Sequence, residues 1–132
     1  MPRRYALGMR RVLAIAAGVA AVALGLTGCV PTGGPLAMQP RAEAWHDALL
    51  TGTLHIDDDC VWVETADAAY VPVFPVGSAR MEAGRLLYGA TWSDGDTIDI
   101  GGGEAPEAGA DWYIPDGCPD ALLWGAAPPP EG

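Results

Sequence analysis

The sequence predicts a mainly β fold: a small five- or six-stranded β-barrel or sandwich, with one short N-terminal helix, after a segment that is removed. Three observations predict it. Several short stretches alternate apolar and polar side chains or are rich in β-branched and aromatic residues. Turn-forming residues punctuate them closely, with 18 glycines and 12 prolines among 132 residues. Only one stretch beyond the leader has helical composition, and the length admits a single domain.

The chain opens with Arg3, Arg4, Arg10 and Arg11, and residues 12–26 then contain nothing more polar than glycine. A basic start and an apolar run have the form of a secretory signal peptide. As a helix the run spans about 22 Å, short of the ~30 Å hydrocarbon core, so a cleaved segment is expected rather than a transmembrane helix. Leu26-Thr27-Gly28-Cys29 resembles the lipobox of bacterial lipoproteins: a leucine, two small residues, then a cysteine. Small residues let the backbone enter a peptidase cleft in extended form. The cysteine thiolate is the nucleophile that receives a diacylglyceryl group. The resemblance implies cleavage between Gly28 and Cys29, acylation of Cys29 (with chains such as palmitate), and attachment to the extracytoplasmic face of the cell membrane. The expected organisation is a signal peptide over 1–28, a lipidated cysteine and flexible tether over 29–40, a β domain over 41–124 and a tail over 125–132.

Residues 30–40 hold three prolines, two glycines and no charge, which is linker chemistry. Residues 41–50 are the expected helix. Pro40 precedes it, Ala42, Ala44 and Ala48 favour it, Trp45 and Leu49 form its apolar stripe, and Gly52 ends it. Residues 51–56 alternate, with Leu54 and Ile56 on one face and Thr53 and His55 on the other. Asp57-Asp58-Asp59 turns the chain into the β-branched and aromatic run Cys60-Val61-Trp62-Val63-Glu64. Residues 70–76 are extended, and Pro72 and Pro75 assign them to a sheet edge because proline lacks a ladder N–H. Residues 85–92 and 96–100 are expected to pair as a hairpin through Ser93-Asp94-Gly95. Gly101-Gly102-Gly103 ends the second strand at a sharp bend or a close approach to another backbone. Trp112 and Ile114 mark a last short strand before Pro115, and residues 125–132 read as a frayed tail.

In this order the motifs resemble a domain of small secreted proteins and lipoproteins of actinobacterial type. The residues that carry the resemblance are Gly52-Thr53-Leu54, Cys60-Val61-Trp62-Val63, Phe74-Pro75-Val76-Gly77, Gly95-Asp96 with Ile98, Gly101-Gly102-Gly103 and Ile114-Pro115-Asp116-Gly117-Cys118-Pro119. It implies an OB-like barrel and no established activity. With Cys29 taken by lipid, Cys60 and Cys118 remain as an even pair. Outside the cytoplasmic membrane a disulfide between them is the expected state. A domain this small has a limited core, so a cross-link adds materially to its stability.

All 17 acidic residues follow position 28, against Arg41, Arg80 and Arg85, so the segment after cleavage carries −14 with histidines neutral. That charge excludes nucleic acid as a partner. It also repels anionic headgroups, so attachment to a membrane has to come from the covalent lipid. Neither lysine nor asparagine occurs anywhere in the chain, which fits mutational bias in a GC-rich genome.

Catalytic signals are thin, and no catalytic residue is assigned. His46 and His55 are the only histidines and Ser78 and Ser93 the only serines, with neither serine in a Gly-x-Ser-x-Gly turn. Carboxylates offer a candidate metal site. Asp57, Asp58 and Asp59 cluster beside His55, while Asp94 and Asp96 cluster near Asp99, and calcium is the ion that dense carboxylates suit. Neither run fits the D-x-[DN]-x-[DN]-G loop, and Asp and Gly are ordinary turn residues, so no cofactor is assigned. The glycine run lacks the Gly-Lys-Ser/Thr ending of a phosphate-binding loop. Trp45, Trp62, Trp92, Trp112 and Trp124 are read as core and rim. Two of them lining a groove would point to a saccharide, because sugar faces stack on indole. The expected function is therefore an extracytoplasmic binding or interaction module whose partner is a cell-envelope protein or saccharide. The alternatives are an acidic calcium binder and a small cell-envelope enzyme acting through surface carboxylates. Size excludes a two-lobed solute receptor.

Overall fold

The computed structural model describes residues 30–41 and 44–130. Nine strands run through them: β1 Ala37–Gln39, β2 Ala48–Ile56, β3 Val61–Glu64, β4 Ala69–Pro75, β5 Arg80–Glu82, β6 Arg85–Leu87, β7 Thr91–Trp92, β8 Thr97–Ala105 and β9 Leu122–Ala126. Five of these close into a barrel. β2 pairs antiparallel with β3, and β3 with β4. β4 runs parallel to β9, which pairs antiparallel with β8, and β8 returns antiparallel to β2. Closure removes the edges that an open sheet would expose. β1 adds a sixth strand, parallel to the end of β4, and β5–β7 form a separate three-stranded antiparallel sheet.

Alternation along the strands fills the barrel. Leu50 and Leu54 of β2, Val61 and Val63 of β3, Phe74 of β4, Ile98 and Ile100 of β8 and Trp124 of β9 share one cluster. Leu54, Val63, Phe74, Ile98 and Ile100 are fully buried, and each such side chain contributes about 1.5–3 kcal/mol of apolar burial. Leu86 of β6 and Tyr88, just beyond that strand, join the same cluster. The Tyr88 ring lies 4.9 Å from that of Phe74, and its hydroxyl donates to the Ala127 carbonyl.

A second cluster covers the outside. Val71 and Val73 of β4 pack with Ala37 and Cys60 beneath Trp112, Ile114, Cys118 and Leu123. Most of this cover comes from residues 106–121, between β8 and β9. The Cys60–Cys118 disulfide, with Cα atoms 4.9 Å apart, ties that segment to the start of β3. β4 is thus covered on both faces, which explains its unbroken apolar run.

Several expectations are corrected. Of the helix expected over 41–50, Ala42 and Glu43 lie outside the described residues, residues 44–47 have no regular structure, and Ala48–Leu50 open β2. There is no helix among the described residues. Alanine propensity is overridden because Ala48, Leu49 and Leu50 pair with Gly102, Gly101 and Ile100 of β8. β4 is interior rather than an edge. Val73 partners both Ala37 and Gly125, and Tyr70 both Val63 and Leu122, so β3 and β1 share one edge and β9 takes the other. Pro72 falls between the β3 and β1 registers, where no partner on that edge stands opposite it.

The expected hairpin does not pair. Its turn forms, with Asp96 N–H donating to Ser93 O at 3.1 Å and Gly95 at φ +88°. The strands it joins then separate: β6 pairs with β5 and β7, and β8 with β2 and β9. A nine-residue β8 matches the nine-residue β2 and buries two isoleucines, which a three-residue β6 cannot offer. The glycine run does not end β8, although the expected close approach is real. Gly102 has φ +139°, and a methyl there would overlap the Gly125 carbonyl. Trp112 and Ile114 form no strand; only an isolated bridge joins Tyr113 to Met38. The last strand is β9, so Gly125 and Ala126 belong to the barrel rather than the tail, and Ala127 is buried with its N–H on Gly101 O at 2.8 Å. Leu36, Ala37 and Met38, expected in the tether, are buried as well. The leader, with Gly28 and Cys29, lies outside the described residues.

Candidate functional site

The acidic turns are built around main-chain contacts. Asp57 Oδ1 accepts the N–H groups of Asp59 and Cys60, both at 2.8 Å, and so shapes the turn into β3. Asp94 Oδ1 accepts the Ile56 N–H at 2.7 Å, and Asp96 Oδ2 that of Ser93 at 2.8 Å. Asp99 Oδ1 accepts the Thr51 hydroxyl at 2.6 Å, while Asp58 is exposed. The structure does bring the two turns to the same end of β2, where Gly95 N–H donates to Leu54 O. No group of three or more His, Cys, Asp or Glu among the described residues is placed to hold a metal ion.

The groups that could serve catalysis are dispersed. His55 stacks on its register partner Trp62, with centroids 4.0 Å apart, and its Nε2 lies 3.6 Å from Glu64 Oε1. The Ser78 hydroxyl donates to Pro75 O at 2.7 Å, and Ser93 heads the 93–96 turn. No charged residue among those described is buried, so no carboxyl occupies the apolar surroundings that make a general acid near neutral pH. Among the described residues Tyr88 is the one group whose pKa moves clearly, pushed up to about 12 by burial, and it faces the core.

Tryptophan supplies the feature that stands out. Trp124 is core, Trp92 packs against the core with its Nε1 on Tyr88 O, and Trp62 is covered by His55. Trp45 and Trp112 instead line a groove of about 240 Å³, together with His46, Gln39 and Glu104. Two glycines lie beneath its lining. Gly103 and Gly125 are register partners across β8 and β9. A Cβ on Gly103 would run into the His46 ring, and one on Gly125 would stand 3.8 Å from Trp112 Cη2. His46 and the edge of the Trp112 indole therefore rest where two strands present no side chains.

Each wall has a local cause. β1 carries Gln39, whose Nε2 donates to Val73 O at 2.8 Å, leaving Oε1 as an acceptor. Trp112 sits in the disulfide-tied segment, its N–H on Gly109 O at 3.2 Å and its neighbour Tyr113 bonded to Met38 in both directions. Trp45 is 53% exposed, as befits a residue in the irregular approach to β2. Trp45 and His46 also line a second depression of about 530 Å³ that reaches Leu49, Asp99 and Pro128, so they divide a two-lobed groove. A more open depression of about 730 Å³ borders Trp112 near Val30, Arg41 and Asp111, but it has no second indole.

Of the residues singled out from the sequence, the structure joins Cys60 to Cys118 and gathers Asp57, Asp94 and Asp96 around the end of β2. Gln39, His46, Glu104 and the Gly103–Gly125 pair were not foreseen as a site. Their juxtaposition depends on β9, which the sequence reading missed. Comparison with protein families, with characterised proteins and with solved structures returns no match.

Proposed function

We propose that this protein is a lipid-anchored binding module on the outer face of the cell membrane, and that it holds a cell-envelope component in the groove walled by Trp45 and Trp112. The barrel is best described as OB-like, since β2, β3, β4, β8 and β9 follow the ring order β2-β3-β4-β9-β8 with a parallel β4–β9 pair. OB folds bind ligands on the face of their second and third strands and the loops around it. The corresponding surface here, on β3 and β4, carries the 106–121 segment, closed down by Cys60–Cys118. Open surface is displaced to the rim, where the groove lies.

The observation that carries the proposal is that two indoles, Trp45 and Trp112, line one concave site with few polar groups, the general character of ligand pockets. The acidic turns are a weaker candidate because Asp57, Asp94 and Asp96 each have an oxygen on a main-chain N–H. The lipobox supplies the address. Leu36 is part of the core, Val30 packs against it, and the Gly34 and Pro35 carbonyls accept bonds from Tyr113 and Val61, so the expected tether is largely docked on the domain. The domain works close to the membrane.

Two measurements test this. The wild-type protein is expected to stay with membranes through a carbonate wash and Cys29→Ser to be released; a retained variant overturns the anchor. Detergent-solubilised wild type is expected to sediment with isolated cell-wall material, and Trp45→Ala, a surface change that leaves the core intact, to do so at least tenfold less. Equal sedimentation overturns the groove as the site.

A further inference from the structure

The groove restricts the chemistry of what it holds. Glu104 borders the lobe with two indoles, Asp47 and Asp99 border the other, and no arginine lines either. An anionic ligand would meet three carboxylates on a strongly acidic protein with no cation to offset them. The polar groups at hand include two acceptors, the Glu104 carboxylate and Gln39 Oε1, together with the His46 imidazole. They suit a ligand rich in hydroxyl or amide donors. Two walls are aromatic, and the smaller lobe, at about 240 Å³, holds one ring-sized group rather than a folded chain. Trp45 and His46 belong to both lobes, so a ligand that fills the groove passes astride them.

Building on the binding role above, we propose that the ligand is an uncharged glycan of at least two linked pyranose rings, stacked on Trp45 and Trp112. Sugar C–H faces lie on the indoles, and hydroxyl or acetamido groups donate to Glu104 and Gln39. Such recognition depends on ring stacking and hydrogen bonds from an uncharged ligand, and therefore responds weakly to salt.

The test is a titration of full-length protein, in a non-glycosidic detergent, with N-acetylglucosamine tetramer, mannose tetramer and galacturonic acid tetramer, followed by tryptophan emission. At least one neutral tetramer is expected to bind and to protect Trp45 from acrylamide quenching. Its affinity should change less than about twofold between 0.05 and 0.5 M NaCl. Trp45→Ala should weaken it about tenfold and Trp45→Phe, which keeps a ring, only about threefold. Preference for the galacturonate tetramer, or a steep loss with salt, overturns the proposal. Trp45-dependent binding to cell-wall material without binding of either neutral tetramer overturns the glycan while leaving the groove as a binding site. Failure of both removes the groove altogether.

Discussion

Replacing Tyr88 by phenylalanine, and following stability into alkaline solution, tests how the small sheet is fastened to the barrel. Tyr88 is 4% exposed, packs against Phe74, and donates its hydroxyl proton to the Ala127 carbonyl just beyond β9. Ionisation would place a phenolate in the core, facing a carbonyl oxygen, and burial accordingly raises the pKa from 10.0 to about 12. A raised folded-state pKa means that above pH 10 the unfolded chain gives up its proton first. The folded chain then binds more protons, and stability falls as pH rises. The contribution is complete below pH 10 and is lost progressively between pH 10 and pH 12. For a two-unit difference the loss is about 1.4 kcal/mol at pH 11 and at most about 2.7 kcal/mol beyond pH 12. The chain has no lysine, and comparison with Tyr88→Phe cancels what its other three tyrosines contribute in this window. Tyr88→Phe forfeits the hydrogen bond and leaves the Ala127 carbonyl short of a donor, a cost of about 1–3 kcal/mol at pH 8. Urea midpoints read by tryptophan emission at pH 8, 9, 10 and 11 should show the wild type converging on the variant by about 1.4 kcal/mol, with unchanged m. Parallel curves for the two proteins would refute the assignment of the alkaline loss to Tyr88.

Three further outcomes are expected. Cys60→Ala with Cys118→Ala opens a cross-link between residues 58 apart and should lower unfolding free energy by about 4 kcal/mol; a loss under about 1 kcal/mol in urea titration would mean the linkage adds little. Gly102→Ala forces a Cβ against the Gly125 carbonyl at φ +139° and should cost more than about 3 kcal/mol, whereas Gly84→Ala, at φ +76° with open space around it, should cost about 1 kcal/mol. Equal thermal shifts for the two would contradict the close β8–β9 approach. Asp94→Ala should cost about 1–2 kcal/mol by removing the acceptor of the Ile56 N–H, with faster amide exchange at Ile56 as its signature.

Where the sequence reading succeeded, the signal was local. Alternation in residues 51–56 places Leu54 inside, as found, and the run from Val61 to Glu64 is a strand because β-branched side chains fit a pleated surface. Asp-Gly at 94–95 makes its turn, since glycine takes positive φ there at no cost. Errors arose where a partner distant in sequence decided the outcome. Ala48 reads as helical until six residues of β8 pair along β2. Leu122-Leu123-Trp124-Gly125-Ala126 does not alternate cleanly and runs into prolines, so β9 was unreadable without β4 and β8 on either side of it. The groove followed the same rule. Trp45 and Trp112 are 67 positions apart, and nothing local says that both will border one opposed pair of glycines.

By itself, then, the amino-acid sequence determined that the chain is mainly β, where several of its strands and turns lie, and which two cysteines pair. Periodicity, turn chemistry and cysteine count are properties of short segments or of composition. Only the tertiary structure decided that the strands close on themselves through a parallel β4–β9 contact. It also decided that the 106–121 segment covers the outside of β4 and that an open groove remains at the rim. Those outcomes depend on which long-range pairings bury the most apolar surface together, and that competition is settled among segments far apart in the chain.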